Sequence, residues 1–208
     1  MRKSKKIIII AVVIALVVIA IFLLITFNKK TPRYEKLANK VTYNYYVFNK
    51  GQDNAWYLDL NIRNQLYTIP FYYTPFDAED IYIDNNTIKT MALYLNNNPR
   101  GNVYVSVDPY QTTKIVIAGV EISRLLGDKY DIFNFNVKSA ISKEYNDTLY
   151  PFITCKDAHS KLMVVMFNIS DKNSITSNNN CIVLNSKNVD ESIRVADAFS
   201  FRILGITR

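Results

Sequence analysis

Val103-Tyr104-Val105-Ser106-Val107-Asp108-Pro109, followed by Thr112-Thr113-Lys114-Ile115-Val116-Ile117-Ala118-Gly119-Val120-Glu121-Ile122-Ser123-Arg124-Leu125-Leu126-Gly127, decides the fold class. The first part alternates in side-chain character and stops at a proline, which predicts a strand. In the second, Thr112 or Thr113 caps a helix that runs to about Leu126, with Gly127 ending it. Ile115, Ala118, Gly119, Ile122 and Leu126 form one stripe, and Val116, Ile117 and Val120 widen it. So wide an apolar arc predicts a helix covered on most sides and lying on a sheet.

Toward the C-terminus, Leu162-Met163-Val164-Val165-Met166-Phe167 is continuously apolar and reads as a central strand. Phe133–Ile141, Phe152–Cys155 and Cys181–Leu184 are further strand candidates. A closing helix starts at Asn188, with Glu191 at capping-box spacing, and Gly205 stops it. Toward the N-terminus, Trp56, Leu58, Leu60 and Ile62 alternate with Tyr57, Asp59, Asn61 and Arg63, the period of a half-buried strand. Val41–Phe48, Leu66–Tyr73 and Asp80–Asp84 read as strands too, with Pro70 marking an edge or a bulge. The fold expected is therefore α+β: a mixed or antiparallel sheet with two amphipathic helices, 112–126 and 189–204, on one face. Residues 41–208 form this domain, and 41–84 a β-hairpin subdomain within it.

Ahead of the domain, residues 7–27 contain twenty apolar residues and Thr26. As a helix the run spans about 31 Å, close to the roughly 30 Å hydrocarbon core of a bilayer. It is too long for a cleaved signal peptide, and no small-residue cleavage site follows it. Residues 1–6, with Arg2, Lys3, Lys5 and Lys6, form a basic tag that favours a cytoplasmic N-terminus and a domain outside the cytoplasm. Residues 28–40, polar and containing Pro32, read as a stalk. Lys29, Lys30, Arg33 and Lys36 on this side oppose the orientation bias in part. The partner this segment implies is the lipid bilayer itself.

Of 208 residues, 25 are Lys or Arg and 18 Asp or Glu, a formal charge of +7. Four of the cations lie in the tag, so the remainder carries only +3, and a nucleic-acid partner loses its support. One histidine and two cysteines exclude a Cys₄ zinc site, and five glycines leave no glycine-rich phosphate loop. The sequence calls for no metal and no cofactor. Asparagine occurs 23 times. With so many, the three sequons at Asn85, Asn146 and Asn168 are what chance gives and carry no evidence of glycosylation.

Cys155 and Cys181 leave two outcomes open. In an antiparallel meander they sit at opposite ends of the central strand and stay thiols; if the last strand lies beside residues 152–155, they bond. Cys155, Asp157 and His159 share a face only if extended, and a turn there makes chemistry improbable. Asp77, Glu79, Asp80 and Asp84 lack the spacing of a calcium loop and read as solvated. The aromatic residues Tyr67, Phe71, Tyr72, Tyr73 and Phe76 are the candidate binding surface, set against the alternative that they are core.

The order Tyr45–Phe48, Trp56, Tyr67-Thr68-Ile69-Pro70, Pro75, Val103–Pro109, Ile153-Thr154-Cys155, Cys181–Leu184, Ala196-Asp197-Ala198-Phe199 and Leu204-Gly205-Ile206 resembles a family of single-pass membrane proteins of small-genome archaea that has no known activity. Members of that family often carry an Arg after the Ala-Asp, where this chain has Ala198-Phe199. The resemblance covers most of residues 41–206 and implies a cell-envelope location. The expected function is a membrane-anchored extracytoplasmic protein that binds an envelope protein or glycan. An anchored hydrolase acting on envelope polymers, or a subunit of a membrane assembly, is the alternative.

Overall fold

The computed structural model describes residues 34–146 and 149–207. The basic tag, the apolar run 7–27 and the first part of the stalk lie outside the described residues. Among the described residues, no helix is long and apolar enough to cross a membrane.

The fold is α+β, with two sheets and three α-helices among the described residues. The first sheet is an antiparallel meander of β1 (Glu35–Leu37), β2 (Lys40–Tyr43), β3 (Tyr46–Lys50), β4 (Trp56–Ile62) and β5 (Gln65–Phe71), in that spatial order. It begins inside the segment read as a stalk, because Glu35–Leu37 pairs with Lys40–Thr42. β5, which carries Pro70, is an edge strand, as the proline required. Tight reversals occur at Asn44 (φ 53°) and at Arg63-Asn64 (φ 51° and 67°). Five of the eight non-glycine residues with positive φ among those described are asparagines. Asparagine tolerates the left-handed region better than other side chains, so it supplies the turns of a glycine-poor chain.

The second sheet is mixed, in the order β6-β10-β11-β9-β7-β8. Its strands are β6 (Tyr82–Ile83), β7 (Asn102–Val107), β8 (Asn136–Ile141), β9 (Leu162–Ile169), β10 (Ser174–Asn178) and β11 (Cys181–Ser186). β8, β7, β9 and β11 run parallel; β10 is antiparallel to β11. The apolar run Leu162–Phe167 is indeed interior, between β7 and β11. Residues 152–155 are not a strand: Phe152 makes one bridge to Ile141, and Cys155–Asp157 is a 3₁₀ turn.

The helices are α1 (Asn86–Asn97), α2 (Thr113–Leu126) and α3 (Ser192–Ile203). Val105, Val165 and Ile182 are in register and buried, and Gly119 of α2 lies close to Val105 and Val107. α3 packs on β11 and on the first sheet, where Phe201 meets Phe71 at 4.7 Å and Phe48 at 5.7 Å. A helix covered from two sides needs more than one apolar stripe, and nine of its twelve residues are buried. The strands of residues 35–71 make a sheet of their own, and its Val41, Phe48 and Phe71 share one core with Val165 and Phe199.

Candidate functional site

The crossover β7–α2–β8 leaves the outermost strand β8 uncovered. Gly119 lets α2 sit tightly over β7: a Cβ there would stand 3.3 Å from Val107 Cγ1. With the helix held there, Val116 and Val120 turn outward and are 49% and 42% exposed. The wide apolar arc that predicted a helix covered on most sides is thus partly open. Between α2 and β8 runs an apolar groove of about 240 Å³, lined by Val107, Val116, Val120, Ile141, Tyr145 and Tyr150.

The segment after β8 forms the groove's outer wall. Lys143 pairs with Asp108 at 2.6 Å, and the Tyr110 hydroxyl donates to the Glu144 carbonyl at 3.1 Å. The rings of Tyr110 and Tyr145 meet edge to face at 5.4 Å. Burial pushes the Asp108 carboxyl up, but Lys143, the Tyr110 N–H and Gln111 reverse this and hold its pKa below the ordinary value. Asp108 is therefore a closed ion pair that ties the wall to β7. Large apolar side chains stay exposed around it, among them Tyr110, Leu149 and Phe152.

The backbone of β8 adds directional chemistry. Asn136 N–H donates to the Gly101 carbonyl and Ser142 N–H to the Val107 carbonyl. In a parallel ladder the alternate residues, Val137, Ser139 and Ile141, then point their N–H and C=O groups away from β7. Ile141 is satisfied by the chain itself: its N–H donates to the Pro151 carbonyl, and its carbonyl accepts from Ile153 N–H. The groups of Val137 and Ser139 face the open edge. This edge accepts an extended segment at one end, and among the described residues no other strand pairs along the rest.

The aromatic residues singled out in the sequence do not share one exposed face. Phe71 is 3% exposed, in the core against Phe201. Tyr67 packs on Tyr130 at 6.2 Å, and Phe76 on Tyr43 at 5.1 Å. Tyr73 is half-buried, and burial and the charges of Glu191 and Asp197 raise its pKa. Only Tyr72 is largely exposed. The period of two explains this, since Tyr67, Ile69 and Phe71 of β5 all point inward.

Cys155 and Cys181 are bonded, with Cα atoms 5.3 Å apart. Parallel pairing of β9 with β11 removes the meander and brings Cys181 opposite Val164. The bond removes Cys155 as a nucleophile, and His159 Nδ1 accepts from Lys161 N–H at 3.3 Å in a turn. The acidic residues of 77–84 act as caps and clasps. Asp77 caps the turn at Thr74 and pairs with Lys36, Asp80 pairs with Arg194, and Asp84 accepts from Asn86 N–H at the start of α1. Among the described residues, no three His, Cys, Asp or Glu side chains are grouped to hold a metal. Of the sequon asparagines, Asn85 precedes α1 and Asn168 donates to Asn185 at 2.9 Å, while Asn146 adjoins residues outside the description.

Compared with known proteins, the chain matches no family model, no curated protein and no solved structure.

Proposed function

We propose that the chain is a single-pass, extracytoplasmic binding protein of the cell envelope, and that it takes an extended segment of a partner protein as an added strand on β8. The observation that carries this reading is the open β8 edge beside an apolar groove. An incoming strand would hydrogen-bond to Val137 and Ser139 and place alternate side chains against Val116 and Val120. Each backbone bond contributes about 0.5–1.5 kcal/mol net, so affinity depends on the groove as well. Confinement to the membrane plane by residues 7–27 raises the effective concentration of a partner in the same membrane.

Two features support the location: the apolar run with its basic tag, and the Cys155–Cys181 bond, which suits an oxidising compartment. A polypeptide is favoured over a glycan because the open groups are those of a strand and the groove is apolar. A hydrolase has less support, since Cys155 is bonded and Asp108 is closed by Lys143.

A photo-crosslinking residue at position 120, in intact cells, tests the reading. The expected result is a discrete crosslinked protein, with the C-terminal domain digestible by external protease. Absence of any crosslinked protein from position 120, or a domain protected until lysis, contradicts it.

A further inference from the structure

A second recess, at the C-terminal end of α3, differs in chemistry. It holds about 250 Å³. Its floor is apolar, from Ala78, Ile81, Ala198 and Phe201, all buried. Its polar lining includes Arg202, Thr207 and Glu79. Among the described residues no carboxylate pairs with Arg202, whose one hydrogen bond there is a long one, 3.5 Å, from Nη1 to the Thr207 carbonyl. Among the described residues, its buried Nε has no acceptor and the buried Thr207 hydroxyl has no partner. Glu79 is exposed, and burial together with the nearby Glu79 carboxylate pushes the Tyr43 hydroxyl up to about 12.

We propose that this recess binds a small zwitterion, an α-amino acid with an apolar side chain. Its carboxylate pairs with the Arg202 guanidinium. Its ammonium pairs with Glu79, and its side chain lies on Ala78, Ile81 and Phe201. A simple anion meets Glu79 and a simple cation meets Arg202, so only a ligand carrying both charges is matched by both. The volume lies below the roughly 300–1,000 Å³ that takes drug-sized ligands, which suits a molecule of this size. The proposal uses none of the groove residues and stands apart from strand addition.

The test is calorimetric titration of the full chain in detergent micelles with three probes of one shape: L-leucine, 4-methylpentanoate and 3-methylbutylamine. L-leucine is expected to bind, the other two at least about tenfold more weakly, and Arg202→Gln and Glu79→Gln each to weaken L-leucine about tenfold or more, or about 1.4 kcal/mol. Glu79 is exposed, so Glu79→Gln keeps the test decisive if Arg202→Gln fails to fold. No heat from L-leucine at millimolar concentration overturns the proposal, as does equal binding of 4-methylpentanoate or undiminished L-leucine binding by folded Glu79→Gln.

Discussion

α3 and α2 are neighbours in one core and have opposite surroundings. α3 is closed in by both sheets, and its one buried carboxylate, Asp197, is spent on structure: it accepts the N–H groups of Tyr72 and Tyr73 at 2.9 and 2.8 Å. α2 is covered on one side and leaves Val116 and Val120 open beside an unpaired strand edge. The difference separates what holds the molecule together from what is free to bind. Apart from Arg202 at its C-terminal end, which lines the second recess, changes around α3 should cost stability, and changes on the outer face of α2 should cost binding alone.

The largest effect is expected at Asp197. Asp197→Ala orphans two part-buried N–H groups at about 1–2 kcal/mol each, so chemical denaturation should show a loss of about 2–4 kcal/mol. Asp197→Asn keeps an accepting oxygen and should lose much less. Near-equal losses would mean that the carboxylate does not clasp β5 to α3. Opening the disulfide comes next. Cys155→Ser with Cys181→Ser frees a loop with a sequence separation of 26, worth about 3.5 kcal/mol in the chain-entropy description. The wild-type chain should resist alkylation of its two cysteines until it is reduced.

The pH dependence sharpens the contrast further. Burial raises the Asp197 pKa well above 3.8, against the opposing pull of the Tyr73 and Tyr72 N–H groups. From about pH 4 upward to that raised value, the folded chain keeps a proton that the unfolded chain has released, so stability falls as pH rises. Denaturation series at several pH values should show this slope in the wild type, and Asp197→Asn should flatten it. The smallest stability effect belongs to Val120→Asp, on the open face of α2. It should shift the unfolding free energy by no more than about 0.5 kcal/mol while abolishing crosslinking from position 116. A loss of several kcal/mol there would place Val120 in the core.

The parts of the fold that speak through period and caps were legible in the sequence. β4, β7, β9, α2 and the Asn188 cap, whose side chain accepts from Glu191 N–H, stand where the pattern put them. α1 was not legible, because its residues 86–97 are rich in Asn and Thr and bury only Thr87, Met91 and Tyr94. Tertiary bonds anchor it: the Tyr94 hydroxyl donates to the carbonyls of Asn102 and Lys161. β10 is Ser-Ile-Thr-Ser-Asn, too polar to read as a strand until β6 and β11 flank it. The groove was hidden for a different reason. An exposed and a covered valine look alike in sequence, and whether a strand is an edge depends on which strands return beside it. The aromatic stretch misled because tyrosine serves both core and surface.

Strand addition is tested most directly by Ser139→Pro. The Ser139 N–H faces away from β7, so proline removes no bond from the existing ladder and blocks only an incoming strand. With the photo-crosslinker at position 120, the account predicts that Ser139→Pro lowers the crosslinked yield at least about tenfold while the unfolding midpoint stays near the wild-type value. An undiminished yield in a folded Ser139→Pro chain would contradict it.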